Sequence, residues 1–121
     1  MALFRCGSGS AFDFTSIPNA GDAVIARSDS QTLISHNFAS GYAASGSDHT
    51  AIVLLINTKG FASLSAYVGN MTVMSINEDG SNSLIYSASG SAASRSADVT
   101  DYDYVIATIG MGGSSYTITM A

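Results

Sequence analysis

The sequence has little of what usually crosslinks, charges or anchors a protein. A single cysteine, Cys6, excludes a disulfide framework and any zinc site built from cysteines. Lysine and arginine together number only 4, which is too few for a protein that tracks nucleic-acid phosphates. The longest apolar run, residues 51–56, is far shorter than the roughly 20 residues that a membrane-spanning helix needs. We therefore expect neither a nucleic-acid partner nor a membrane span.

The N-terminus also lacks the pattern of a secretory signal peptide. Residues 1–7, Met-Ala-Leu-Phe-Arg-Cys-Gly, contain no basic region followed by a long apolar stretch. We therefore expect synthesis in the cytoplasm without a signal peptide, with Cys6 as a reduced thiol. The 121 residues suit one domain, and a hydrophobic content of 46% argues against disorder.

What the sequence does contain is apolar residues at every second position, which is the period of a β-strand. In residues 61–68 the even-numbered positions are apolar and positions 63 and 65 are serine. Residues 102–109 and 115–120 alternate in the same way, and no segment keeps helical spacing over three turns. Residues 51–56 do not alternate, so we expect a central strand covered by the core on one side and by a loop or partner chain on the other.

Two segments match at a spacing of 49 residues. Residues 39–47 (ASGYAASGS) correspond to residues 88–96 (ASGSAASRS), and a short Asp-x-Thr sequence follows each. The match indicates either an internal duplication or chance agreement between two tracts rich in small residues. In each copy the predicted order is a hairpin, a small-residue loop and a second hairpin.

We expect an all-β fold, an antiparallel β-sandwich of about eight strands that is jelly-roll-like and fills a single domain over residues 1–121. Residues 1–20 would form an N-terminal arm or edge strand, residues 22–68 the first half and residues 71–120 the second half. The predicted loops, 37–49 and 88–101, would cross between the sheets or lie together at one end. The predicted hairpins pair residues 22–27 with 31–36, 50–57 with 61–68, 71–77 with 83–87, and 102–109 with 115–120.

The scarcity of charge predicts self-association. Charged residues make up 11% of the sequence, against about 25% in an ordinary domain. On a monomer surface of roughly 6,000 Å², each charged residue would have to cover on the order of 450 Å², about twice the usual area. Exposed strands with so few charges invite pairing with other strands. We therefore expect a homo-oligomer, with a trimer favoured.

Three aspartates form the strongest candidate for a metal site. Asp98, Asp101 and Asp103 lie close together in the sequence, and carboxylates in loops are the ligands that Ca²⁺ prefers. Their spacing is not that of an EF-hand loop. The alternative is a solvated loop that leads into a strand, and we expect no cofactor other than this candidate calcium ion.

Aromatic and polar residues in and beside the matching segments form a candidate ligand-binding site. Tyrosine rings stack on sugars, and polar groups exchange hydrogen bonds with sugar hydroxyls. The same residue types suit a protein interface or packing beneath the loops. The candidate residues are Tyr42, Asp48, His49, Tyr102 and Tyr104, with Tyr86 nearby.

No arrangement in the sequence predicts an enzyme. Asp48 and His49, with many serines, have the residue types of a hydrolytic triad, but the Gly-x-Ser-x-Gly elbow is absent. His36 and His49 as a metal-binding pair is a minor alternative. The glycine-rich residues 110–114 lack the lysine of a phosphate-binding loop and are typical of a hairpin turn.

The start MALFRCG, the lack of a leader and the small body rich in serine, alanine, glycine and predicted strands resemble small β-rich bacteriophage and prophage tail or virion accessory proteins. The resemblance implies a non-enzymatic structural or attachment module that assembles with other virion proteins and binds a host surface. The alternative is a carbohydrate-binding, lectin-like domain that recognises a cell-surface glycan. The two overlap, because an attachment protein can bind sugars.

Overall fold

A computed structural model describes residues 14–27, 33–38, 45–47, 52–77, 79–110 and 115–121. Within these ranges the chain has one short 3-10 helix, Phe14–Ser16, and ten β-strands. The strands are β1 (Asp22–Arg27), β2 (Leu33–Asn37), β3 (Ser45–Ser47), β4 (Ile52–Asn57), β5 (Ser63–Val68), β6 (Asn70–Ile76), β7 (Asn82–Ala88), β8 (Ala93–Asp98), β9 (Tyr104–Gly110) and β10 (Ser115–Met120).

The strands form two antiparallel sheets. The large sheet has the order β2-β1-β4-β9-β6-β7, and the small sheet has the order β3-β10-β5-β8. Apolar residues from both sheets meet in one buried cluster between them. The predicted all-β, antiparallel sandwich is confirmed, with ten strands in the described residues where about eight were predicted.

Alternation along the strands produces this core. In β5, Leu64, Ala66 and Val68 are buried between the sheets, while Ser65 and Tyr67 point to the outside. The strand β4 lacks alternation because it is buried on both sides, as predicted. It lies at the centre of the large sheet, between β1 and β9.

Two of the four predicted hairpins are wrong. The pairs β1–β2 and β6–β7 form as predicted, but β4 and β5 lie in different sheets, and so do β9 and β10. The central strands pair instead with the other half of the chain, β4 with β9 and β5 with β10. After β4 and after β9, the next strand lies in the opposite sheet and not beside the strand that precedes it. The turn residues between these strands therefore connect the two sheets and do not close hairpins.

The second predicted loop, residues 88–101, contains a strand. Here β8 pairs with β5 over its whole length, with Ala97 buried and Ser96 exposed. Small side chains alternate in this strand, and their weak contrast in hydrophobicity conceals the period of two. The first predicted loop, 37–49, contains the short strand β3 within its described part.

The two halves of the chain occupy equivalent places in the sheets. If β1 to β5 are exchanged with β6 to β10 in order, the strand order of each sheet becomes its own reverse. The pair β4–β9 lies at the centre of the large sheet and the pair β10–β5 at the centre of the small one. This pseudo-twofold arrangement agrees with the repeat seen in the sequence, and common descent of the halves stays a prediction.

The segment before β1 covers part of the outer face of the large sheet. Ile17 is fully buried there, in a second apolar cluster with Val24, Leu55 and Ile106, and Phe14 packs against the same cluster. This segment is the loop that the sequence predicted over the central strand. Phe14–Ser16 is a 3-10 turn and no edge strand, whereas residues 1–13 lie outside the described residues. None of the helices in the described ranges is long and apolar enough to cross a membrane.

Asn57 fastens this segment to the sheet. Its fully buried side chain donates a hydrogen bond from Nδ2 to the carbonyl of Ile17 (3.0 Å) and accepts one at Oδ1 from the amide of Lys59 (3.2 Å). The carbonyl of Asn57 also accepts a hydrogen bond from the amide of Gly21 (2.8 Å). A buried amide with these partners is expensive to remove, because the groups it leaves behind stay without water.

Replacing Asn57 by alanine is expected to lower the free energy of unfolding by about 2 kcal/mol, since it leaves a buried carbonyl unsatisfied. The measurement is urea unfolding followed by circular dichroism. The control is Asn77→Ala, which removes an exposed side-chain hydrogen bond to Ser81 and should cost less than about 0.5 kcal/mol. Equal losses in the two variants would contradict the anchoring role.

Candidate functional site

The outer face of the small sheet carries a patch of hydroxyl groups around one exposed aromatic ring. We call this patch the hydroxyl face and define it as Ser65, Tyr67, Ser94, Ser96 and Thr119. The tyrosine is 58% exposed, and among the described residues it and Leu84 are the exposed large apolar side chains. The alternation that buries the neighbouring residues of β5 turns Tyr67 outward.

Strand register brings these side chains together from three strands. Ser65 lies opposite Ser96 on one side and opposite Thr119 on the other, and Tyr67 lies opposite Ser94. The hydroxyl oxygens of Ser65 and Ser96 are 3.0 Å apart and share a hydrogen bond. Each hydroxyl has one donor and two acceptor positions, so this pair keeps both donor and acceptor capacity toward the outside.

The hydroxyl face lines a shallow concavity of about 340 Å³, which Ala66 and Arg95 also border. The guanidinium of Arg95 is held by the backbone: Nε donates to the carbonyl of Val68 (3.0 Å) and a terminal nitrogen donates to that of Ser91 (2.9 Å). Arg95 lies opposite Ala66 on the inward side of the edge strand β8. A charge in this position protects a sheet edge from pairing with other strands.

Asp98, a predicted calcium ligand, lies at one end of the same outer face. It is opposite Ser63, one row beyond the serine pair. Its Oδ1 accepts hydrogen bonds from the amide (3.0 Å) and the hydroxyl (2.7 Å) of Thr100, and these bonds lower the pKa of the Asp98 carboxyl. The carboxylate therefore closes the turn that follows β8.

The other two predicted calcium ligands, Asp101 and Asp103, are exposed between β8 and β9. The carbonyl of Asp103 accepts a hydrogen bond from the amide of Thr58 (2.8 Å). Within the described residues, no group of three or more His, Cys, Asp or Glu side chains is placed to hold a metal ion. Calcium binding stays a prediction.

The tyrosines that the sequence proposed for ligand binding are engaged in packing where the structure describes them. Tyr104 is 9% exposed, with Phe14 edge-on at 4.6 Å and the ammonium group of Lys59 5.2 Å from its ring centre. Tyr102 and Tyr86 are partly buried against the main core. The remaining candidates, Tyr42, Asp48 and His49, lie outside the described residues.

Sequence reasoning missed Tyr67. The signal was present, because the alternation in residues 61–68 that puts positions 63 and 65 on the polar face puts position 67 there too. The partner strand β8 was interpreted as a loop, so nothing in the sequence joined this tyrosine to Ser94 and Ser96.

The outer face of the large sheet has a different character. A straight row of apolar residues, here called the apolar row, crosses five strands in register: Val24, Leu55, Ile106, Met74 and Leu84. The first three are buried beneath the segment before β1, Met74 is half-buried, and Leu84 is 61% exposed. Within the described residues, the cover therefore ends before the row reaches the edge strand β7.

A second concavity, of about 310 Å³, lies at the start of β1 and contains Asp22 and His36. Both carboxylate oxygens of Asp22 have partners, the side-chain amide of Asn37 (2.7 Å) and the backbone amide of Asn19 (2.9 Å). The ring of His36 packs edge-on against Phe38 at 4.7 Å. This group holds the beginning of the strand.

No protein-family model matches the chain, and neither the curated proteins nor the solved structures contain a match to it.

Replacing Thr100 by valine is expected to raise the pKa of Asp98 toward the ordinary value of about 3.9, because it removes the hydroxyl donor. A carboxyl whose pKa is lowered by folding contributes stability above its unfolded pKa and loses it as the pH falls through the folded value. The valine variant should lose less stability over that acidic range. NMR titration of the carboxyl carbons measures the pKa, and urea unfolding at several pH values measures the loss of stability.

Asp79 is the internal control for this titration. Hydrogen bonds from Ser81 lower its pKa in the same way, and it should titrate identically in both proteins. An Asp98 signal that does not move in the valine variant would contradict the assignment.

Proposed function

We propose that the protein is a non-enzymatic structural or attachment module that acts as a homo-oligomer in a phage virion or tail-like assembly. The observation that carries this proposal is the apolar row, which leaves Met74 partly and Leu84 largely uncovered at one side of the large sheet. A second copy of the chain is the occupant that best suits this surface. Interfaces of this kind have apolar centres that are depleted of charge.

The composition of the edge strand supports self-association. The strand β7, Asn82–Ala88, contains no charged residue, whereas β8, at the edge of the small sheet, carries the inward Arg95. A bulge between Val73 and Met74 disturbs the pairing of β6 with β7 and twists this edge. We therefore place the contact on the face that carries Leu84 and not on the hydrogen-bonding edge of β7.

The sequence supports the oligomer number and the virion setting in this proposal. The charged fraction of 11% supports burial of surface against other copies, with a trimer favoured. The virion or tail assembly is supported by the resemblance of the N-terminus and the overall composition to small phage proteins. Other virion proteins would be the remaining partners.

Replacing Leu84 by aspartate is expected to convert the oligomer to a single chain, because a charge in an apolar contact must be desolvated. Light scattering during size-exclusion chromatography measures the mass. At micromolar concentration the wild type should give about three times 12.4 kDa and the variant about 12.4 kDa. Because the side chain is 61% exposed, folding of the chain itself should be little affected.

The matched control is Thr119→Asp, which places the same charge at an exposed position of the small sheet and should leave the oligomer intact. A wild-type protein that stays at the mass of one chain over a hundredfold range of concentration would contradict the proposal. So would an oligomer that Leu84→Asp leaves unchanged.

A further inference from the structure

We propose that the hydroxyl face is a binding site for a neutral carbohydrate, with Tyr67 as the surface on which a sugar ring stacks. The site lies on the small sheet, opposite the side of the sandwich that carries the apolar row. It goes beyond the proposed function, since it names a ligand class and does not depend on the oligomer.

The exposed ring of Tyr67 is the first observation that supports a sugar. The other tyrosines described above pack against apolar clusters, but this one stands 58% exposed among serines and a threonine. An aromatic ring in this setting offers a flat apolar surface beside polar groups. The aliphatic C–H face of a sugar ring is complementary to such a surface, and the sugar hydroxyls project at its rim.

The neighbouring hydroxyls are the second observation. Ser65, Ser96 and Thr119 form one row beside the tyrosine, and Ser94 lies opposite the tyrosine itself. Hydroxyl groups both donate and accept, so they can match a sugar whose own hydroxyls do the same.

The charges around the concavity favour a neutral ligand. The lining residues that the structure describes include no carboxylate, so they offer neither a partner for a cation nor ligands for calcium. The guanidinium of Arg95 is fixed by the carbonyls of Val68 and Ser91, and the opposite charge of Asp98 lies one row beyond the serine pair on the same outer face, so the two charges near the concavity offset each other. The site should therefore bind an uncharged sugar, and it should do so without a metal ion.

The size of the concavity suits a small ligand. Its volume of about 340 Å³ lies near the lower end of the range for small-molecule sites, which begins at about 300 Å³. We expect it to hold one or two sugar rings at the end of a longer glycan, since the concavity is shallow and open.

The test is binding to immobilised neutral oligosaccharides that end in glucose, galactose, mannose or N-acetylglucosamine, beside sialylated and sulfated ones. Wild type, Tyr67→Ala, Tyr67→Phe and Asn77→Ala are compared in Ca²⁺ and in EDTA. The wild type should bind at least one neutral terminus equally in both buffers. The alanine variant should bind about tenfold more weakly or not at all, whereas the phenylalanine variant keeps the ring and should stay within about threefold.

Three results would overturn the carbohydrate site: a wild type that binds no neutral glycan, binding that EDTA abolishes, or a Tyr67→Ala variant that binds as well as the wild type. Binding confined to the charged glycans would overturn it too. The solution mass of Tyr67→Ala should equal that of the wild type. A loss of binding at equal mass comes from the carbohydrate site and not from a loss of assembly. Because avidity depends on copy number, binding is compared only between variants of equal mass, and Asn77→Ala, an exposed substitution outside both proposed surfaces, is the control that should bind as the wild type does.

Discussion

The structure depends on the burial of the pair β4–β9 from both sides. Leu54 and Ala107 face the small sheet from this pair, whereas Leu55 and Ile106 face the segment before β1. A strand buried on both faces must be apolar at consecutive positions, which is why residues 52–56 contain no polar side chain. Two layers alone would leave the outer side of this pair in water, so the chain supplies part of a third layer.

That third layer is incomplete in the described part of the chain, and its limit separates two kinds of surface. Asn57 ties the segment before β1 to the sheet at β4, and Phe14 carries the cover as far as Tyr104 on β9. Beyond β9 the apolar row continues to Leu84 without this cover. The small sheet needs no third layer where the structure describes its outward side chains, because these are serine, Thr119, Asp98 and a single tyrosine. One side of the sandwich is thus suited to assembly and the other to a polar ligand.

Local patterning explains which parts of the fold the sequence could predict. Strong alternation in residues 61–68 and the unbroken run at 51–56 identified β5 and β4, including the central position of the latter. The placement of β4 and β5 in different sheets could not be predicted, because it depends on their pairing with β9 and β10, about 50 residues away. The strand β8 escaped notice because alanine and serine differ too little in hydrophobicity. Tyr67 was missed for the same reason, since its neighbours Ser94 and Ser96 lie on that strand.

We propose that the uncovered end of the apolar row is a contact surface between copies of the chain. Hydrogen–deuterium exchange at two protein concentrations tests it most directly, because it locates the surface without any substitution. Protection that rises with concentration in β6 and β7 and stays constant in β8 is the predicted result. Exchange in β6 and β7 that is the same at both concentrations, or protection that rises in β8 alone, would contradict the account.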